Sequence, residues 1–183
     1  MKEYIVVVKN AVPLELCDSI LKEYQNTKEW EITLTANNSN EKERNCDSIQ
    51  ISQSLVINNN PKRIEIDDKL FSCASKCINK YNNKFKYAGV QQDTGYELLR
   101  YQTGGFYKEH TDSYLQEPRL ISCSFALNDN YKGGEFAFFD NEIQYKLSKG
   151  DALMFPSTFT YPHQILPVTK GNLKTTVFIL FLI

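Results

Sequence analysis

Two spacings of hydrophobic residues divide the chain. Before about residue 90, apolar residues recur at intervals of three and four, which predicts amphipathic helices over 13–24 and 66–81. A short strand is predicted at 4–8, and the pair Asn82-Asn83 is expected to end the second helix. Residues 33–48 are polar, rich in Asn and without apolar periodicity, so we expect them to form a mobile loop.

After residue 90 the pattern changes to short runs separated by Gly, Asp, Asn and Pro, which is typical of a sandwich or barrel. Eight such runs predict strands at 96–101, 106–111, 120–127, 134–139, 143–147, 152–155, 163–168 and 174–182. Eight strands of this size make a jelly roll. The expected fold class is α+β, mainly β, with a single domain over 1–183 that has helical support over about 1–90 and a jelly-roll core over about 91–183.

Charge and composition limit the classes of partner. The 183 residues include 21 Lys and Arg against 22 Asp and Glu, so no overall positive field would gather nucleic acid. The longest apolar stretch, 177–183, is far shorter than the roughly 20 residues that cross a bilayer, and no signal peptide is evident. We therefore expect a cytoplasmic protein without clear nucleic-acid or membrane binding.

The five cysteines are odd in number and form no C-x-x-C pair, so neither a disulfide framework nor a zinc ribbon is indicated. Cys73 and Cys77 share one face of the second predicted helix, where we expect two small buried apolar side chains.

The candidate chemistry lies in the two histidines of the chain. The first belongs to His110-Thr111-Asp112 on a predicted strand, where alternation turns His110 and Asp112 to the same face. Taken alone, such a pair is usually a surface hydrogen bond. The second, His163, lies on a later predicted strand that a sandwich can bring back across its core. Two imidazoles and one carboxylate on one face would leave adjacent coordination positions open, as in the facial triad of non-haem Fe(II) oxygenases.

Four motifs surround these residues: Tyr101-x-x-Gly104-x-x-Tyr107-x-x-His110-x-Asp112, then Gly133-Gly134-Glu135, then Lys149-Gly150-Asp151 leading into Phe155-Pro156, then His163-x-x-x-Pro167-Val168-x-x-Gly171. Together they resemble the prolyl 4-hydroxylase-like branch of the 2-oxoglutarate/Fe(II) dioxygenase superfamily over roughly 96–181. The resemblance implies a double-stranded β-helix with Fe(II) at one open end, held by His110, Asp112 and His163. It also implies 2-oxoglutarate and O₂ as co-substrates, and it brings ascorbate into consideration as a further cofactor.

In the resembled enzymes, a basic side chain on the strand after the second histidine binds the far carboxylate of 2-oxoglutarate. The position two residues after Gly171 carries Leu173 here, and Lys174 follows it. Lys174 is the predicted anchor if a β-bulge turns its side chain inward, and Arg100 and Lys170 are the alternatives.

Tyr101 matches a tyrosine that hydrogen-bonds the same carboxylate in the resembled enzymes, and core packing is the alternative interpretation of it. Asp112 favours hydroxylation, because a halogenase variant of such a site would lack the carboxylate. Peptidyl proline is the substrate class that the resemblance implies. The polar segments 33–48 and 113–119 are then either loops that close over a peptide or simple connections.

Other functions remain open on the sequence. A free amino acid or another small molecule would use the same iron chemistry. A non-catalytic metal-binding jelly-roll module is favoured by Leu173 at the anchor position. A cupin-type isomerase or a zinc protein is the third class, because two histidines and a carboxylate also bind Zn or Mn.

Overall fold

The computed structural model describes residues 2–33, 42–52, 59–90, 92–113 and 119–181. Residues 34–41 of the predicted mobile loop and 114–118 of the second polar segment lie outside the described residues, so these expectations remain predictions there.

In the described part of the chain, two long helices pack against each other and share a hydrophobic cluster with a sheet. Helix α1 spans Leu14–Glu23 and helix α2 spans Pro61–Lys84. Each helix buries one stripe of apolar residues at helical spacing: Leu16, Cys17 and Ile20 in α1, and Ile66, Leu70, Cys73, Ala74 and Cys77 in α2. The side chain of Asn60 caps α2 by accepting hydrogen bonds from two backbone N–H groups of its first turn. Both predicted helices are confirmed, and α2 is longer than predicted at both ends.

The expectation that Asn82-Asn83 ends the second helix was wrong, because α2 continues to Lys84. The Asn82 side chain is half-buried and does not compete for the backbone of its own helix. Its amide donates to the carbonyl of Val90 at 2.8 Å and accepts from the N–H of the same residue at 3.2 Å. Asn82 therefore holds the chain that leaves the helix, rather than breaking the helix.

The described residues contain fifteen strands, which follow a short 3₁₀ turn at Lys2–Tyr4. In chain order they are β1 (Val6–Val8), β2 (Glu31–Ile32), β3 (Arg44–Asn45), β4 (Asp47–Gln50), β5 (Gln92–Asp93), β6 (Glu97–Tyr101), β7 (Phe106–His110), β8 (Ile121–Ala126), β9 (Lys132–Gly133), β10 (Phe136–Phe138), β11 (Ile143–Tyr145), β12 (Ala152–Pro156), β13 (His163–Ile165), β14 (Val168–Lys170) and β15 (Leu173–Phe181). A larger sheet has the order β1-β12-β8-β15-β6-β4-β2, with β5 paired to β15, and a smaller sheet has the order β11-β10-β13-β7-β3. Strands β9 and β14 form a separate pair.

The larger sheet separates two hydrophobic clusters, because neighbouring residues of a strand point to opposite faces. On one face, Leu98 and Phe125 pack with the helices. On the other, which we call the inner face, Leu99 and Phe155 pack with residues of the smaller sheet such as Phe138. Two sheets closed over a shared core, with helices outside the larger one, form the predicted double-stranded β-helix, and the fold class is confirmed.

One loop prediction and one strand prediction need correction. The stretch 33–48, predicted as a loop, contains β3 and the start of β4. Their polar residues gave no strand pattern, and backbone pairing with β7 and β6 holds these short strands. The predicted strand 163–168 is divided into β13 and β14, which belong to different sheets. Pro167 lies at the division, and it has no N–H to continue a ladder.

Among the described residues, no helix is both long and apolar enough to cross a membrane. All five cysteines are buried as free thiols, and Cys73 and Cys77 are packed in the helical cluster as expected.

Candidate metal and co-substrate site

The two histidines come together because β7 and β13 are neighbours in the smaller sheet. His110 and His163 are direct partners across the antiparallel pair, and their ring centroids are 4.3 Å apart. The register then shifts: the next pair joins Ile165 to Tyr107, so β7 has one residue more than β13 over this interval. This β-bulge turns Tyr107 and His110 to the same side, where their rings stack with centroids 3.4 Å apart.

Asp112 reaches the histidines from a bend rather than from a strand. Strand β7 ends at His110, so the predicted alternation along 106–111 does not continue to the carboxylate. The backbone N–H groups of Asp112 and Ser113 both donate to the carbonyl of Ser157, at 3.2 and 3.0 Å. The carboxylate then lies 3.4 Å from Nε2 of His110 and 3.5 Å from Nε2 of His163.

Two buried serines fix the Asp112 carboxylate. The Ser122 hydroxyl donates to Oδ2 of Asp112 at 2.5 Å, and it is also 2.8 Å from the hydroxyl of Ser157. Burial alone would raise the pKa of Asp112, but His163, His110 and Ser122 outweigh it and lower that pKa below its usual range. The carboxylate is therefore ionised at neutral pH.

Backbone carbonyls set the tautomer of both imidazoles. Nδ1 of His110 lies 2.7 Å from the carbonyl oxygen of Lys108, and Nδ1 of His163 lies 3.1 Å from that of Tyr161. A carbonyl only accepts, so each Nδ1 carries a proton, and Nε2 is the nitrogen left to bind a metal. Burial lowers the pKa of His163 to about 4, against the opposing effect of Asp112, so this ring is neutral at pH 7.

This donor set fits a metal ion. One ligand atom from each of His110, Asp112 and His163 lies within 4.8 Å of the other two. The site combines two imidazoles, of which His163 is neutral, with an ionised carboxylate, and neutral imidazole and carboxylate are the forms in which these groups bind metals. Three protein ligands leave coordination positions open for small molecules, as in the 2-His-1-carboxylate facial triad.

Aromatic residues from both sheets pack around His163. The rings of Phe155 and Phe138 lie 4.5 and 5.7 Å from the His163 ring, between centroids. Both phenylalanines are fully buried. They exclude water from one side of His163 and restrict the orientation of its ring.

The predicted anchor Lys174 lies on the opposite face of the larger sheet. The pairing of β15 with β6 is continuous from Leu173↔Tyr101 through Lys174↔Arg100 to Thr175↔Leu99, so the bulge that would turn Lys174 inward is absent there. Lys174 shares its face with Arg100, and burial together with Arg100 lowers its pKa. It therefore does not face the triad.

The alternatives Arg100 and Lys170 are also turned away. The Arg100 guanidinium donates to Asp47 at 2.8 Å and stacks 4.0 Å over the Trp30 ring, outside the inner cluster. Lys170 is exposed at the end of β14, opposite Lys132.

Tyr101 lies where the sequence predicted it, on the inner face and almost fully buried beside Leu173. A cation that sequence reasoning missed, the guanidinium of Arg44 on β3, is close enough to act on the pKa of Tyr101. Burial is the main reason that the pKa of Tyr101 is raised well above its usual value. Ser122 was also missed, because a serine in a strand carries no signal of its own.

Comparison with known proteins was made on sequence and on structure. A sequence model of the 2OG-Fe(II) oxygenase superfamily matches residues 96–181. A PKHD-type hydroxylase of Idiomarina loihiensis is 38% identical over 81 residues, which cover 41% of this chain and 36% of that protein. Another, from a Picosynechococcus species, is 36% identical over 99 residues, covering 50% of this chain and 44% of the relative. The chain thus spans less than half the length of these two relatives.

Solved structures share the fold at low sequence identity. A Trichoplax adhaerens prolyl hydroxylase, determined with a peptide fragment of the hypoxia inducible factor oxygen degradation domain, has a TM-score of 0.80 and 18% identity, and the match covers 98% of this chain and 84% of that one. A Pseudomonas putida prolyl-4-hydroxylase has a TM-score of 0.76 and 18% identity, with 98% and 93% covered.

Proposed function

We propose that the chain is a member of the 2OG-Fe(II) oxygenase superfamily, which it resembles over residues 96–181, and that it is a 2-oxoglutarate- and O₂-dependent hydroxylase whose iron is held by His110, Asp112 and His163. The observation that carries the proposal is the convergence of one ligand atom from each of these three residues within 4.8 Å of one another. The proposal treats 1–183 as one catalytic domain.

Bound iron, together with 2-oxoglutarate and O₂, would supply the oxidation of a C–H bond to an alcohol, with succinate and CO₂ as the other products. The protein positions the reactants. Ser122 and Ser157 hold the Asp112 carboxylate, and the carbonyls of Lys108 and Tyr161 hold the two imidazoles.

Peptidyl proline is the substrate class that we propose, on the strength of the shared fold with prolyl hydroxylases. The connection from β12 to β13 leads from the Ser157 contact to His163 and exposes Phe159, of which 84% is accessible. An exposed aromatic ring this close in sequence to a metal ligand is suited to contact an extended peptide. A free amino acid or another small molecule is the second candidate, and ascorbate belongs to the proposal as a supporting reductant.

The test is anaerobic reconstitution with Fe(II), followed by exposure to air with 2-oxoglutarate and a panel of proline-containing peptides and free amino acids. We expect succinate, and one substrate that gains one oxygen atom by mass spectrometry. Asp112→Ala should produce neither, while Ser124→Ala, which alters a buried serine outside the triad, should produce both. Iron-loaded protein that forms no succinate with any substrate would contradict the proposal and favour a non-catalytic module. Turnover with Zn or Mn but not with Fe(II) would favour the isomerase or zinc alternatives.

A further inference from the structure

Arg44 brings a positive charge to the inner cluster from an unexpected direction. It lies on β3 at the edge of the smaller sheet, where it pairs with Tyr107 of β7. Its guanidinium carbon lies 4.4 Å from the centre of the Tyr107 ring, and its Nε–H donates to the sulfur of Cys46 at 3.2 Å. Tyr101, on the facing sheet, lies close enough to the same guanidinium for the two groups to influence each other electrostatically.

The guanidinium has no carboxylate partner among the described residues. Glu97 on β6 is the acidic residue whose charge acts on Arg44, but the two form no ion pair within 4 Å. The contacts of Arg44 are instead a thiol, a phenol and an aromatic face. A half-buried guanidinium whose neighbours are nearly all uncharged is costly unless an anion joins it.

We propose that Arg44 binds the far carboxylate of 2-oxoglutarate, in place of the cation that the resembled enzymes carry at the position of Leu173. The inference rests on the proposed function, because it concerns the co-substrate of the same site. Tyr101, opposite Leu173 in the sheet register, completes the carboxylate site by donating its hydroxyl. The cation thus comes from the smaller sheet, whereas Tyr101 lies on the larger sheet, at the position that the sequence resemblance implies.

The distances suit a five-carbon diacid. The His110 ring stacks on Tyr107 at 3.4 Å, and the Arg44 guanidinium lies over the same Tyr107 ring at 4.4 Å. Since the stacked imidazole occupies one face of Tyr107, the guanidinium lies over the other. The Tyr107 ring therefore separates His110 from the Arg44 guanidinium. In 2-oxoglutarate, carbon–carbon bonds of about 1.5 Å place the two carboxyl carbons about 5 Å apart. We therefore place the 2-oxo acid end of the molecule at the triad and its far carboxylate at Arg44.

Charge and position make Arg44 a better candidate than the other cations. Lys174 and Arg100 lie on the far face of the larger sheet, and Lys170 is exposed. Arg119 donates to the carbonyl of Asp112 at 3.3 Å, which places it on the side of the carboxylate ligand. Arginine also offers a planar pair of donors that matches a carboxylate.

The experiment compares Arg44→Met with Arg44→Lys, since these two side chains are both unbranched and differ in charge. Binding of 2-oxoglutarate and of pyruvate to Fe(II)-loaded protein is measured anaerobically by calorimetry, after Fe(II) affinity itself. Pyruvate has the same 2-oxo acid group but lacks the far carboxylate. Lys174→Met is the matched control, because it removes a half-buried cation from the opposite face.

We expect Arg44→Met to weaken 2-oxoglutarate binding by about 10- to 100-fold, the loss of a hydrogen-bonded charge pair, with Fe(II) and pyruvate affinities unchanged. Arg44→Lys should lose less, and Lys174→Met should bind like the wild type. Two outcomes would refute the inference and assign the effect to packing. Either the two Arg44 variants lose the same amount of 2-oxoglutarate affinity, or Arg44→Met loses as much affinity for pyruvate as for 2-oxoglutarate. Loss in Lys174→Met with normal binding in Arg44→Met would assign the role to Lys174. Wild-type protein that binds iron but neither 2-oxo acid would overturn the proposed function itself.

Discussion

Ser122→Ala tests whether a buried hydroxyl controls metal affinity at the triad. Ser122 is 2% exposed and donates to Oδ2 of Asp112 at 2.5 Å, so no water can replace the lost donor without rearrangement. A hydrogen bond to an ionised group contributes about 1.5–3 kcal/mol. Loss of a residue that orients a metal ligand lowers metal affinity about 10- to 100-fold, which is the same range of free energy. We therefore expect the Kd for Fe(II) or Mn(II) to rise by that factor.

The assay is calorimetric titration of metal-free protein with Mn(II) at fixed pH, with Fe(II) added anaerobically as a second probe. Ser124→Ala is the matched control, because Ser124 lies two residues along β8, is equally buried, and bonds Thr175 at 2.5 Å instead of the triad. This control should lower the free energy of unfolding without changing the Kd. If Ser122→Ala binds metal as tightly as Ser124→Ala, the backbone contacts to Ser157 position Asp112 by themselves and the reasoning fails.

Two further predictions concern stability and reactivity. Burial raises the pKa of Cys17 to about 11, so only about one thiol in a thousand is ionised at pH 8. A thiol reagent should therefore modify Cys17 much faster in urea than in the native protein, which peptide mass spectrometry can follow. Equal rates of modification in the two conditions would contradict this. Arg63→Ala removes a buried guanidinium that donates to Glu29 at 2.7 and 2.9 Å, and urea denaturation should show a loss of about 1–3 kcal/mol at neutral pH. The hydrogen bonds from Arg63 lower the pKa of Glu29, so this loss should shrink as the pH falls below about 4, and a loss that grows in acid would refute the assignment.

The sequence predicted the fold and the triad because both leave local signals. Amphipathic spacing marks the helices, and short runs between turn residues mark the strands. The triad was predicted from residue types and motifs, although one step of that reasoning was wrong. His110 and Asp112 face the same point because of the backbone contacts to Ser157, a long-range effect that strand alternation does not describe.

The second layer of the site could not be predicted for the same physical reason. Arg44 lies in a polar stretch that lacks periodicity, and it reaches Tyr107 only through the pairing of β3 with β7. Lys174 lies one residue after the position where the anchor was expected. Because the register of β15 is regular, this difference of one residue puts the Lys174 side chain on the opposite face of the sheet. Contacts between residues far apart in sequence decide both cases.

The direct pairing of His110 with His163 also gives the metal a part in folding. A slip of β13 by one residue against β7 would turn His163 away from His110 and destroy the ligand set. A metal ion bound by these residues would therefore stabilise only the correct register of the two strands, and its binding free energy would be added to that register alone. Bound iron would then favour the barrel in which β7 and β13 pair in the correct register. A chain with the wrong register would be recognisable because it would not retain metal.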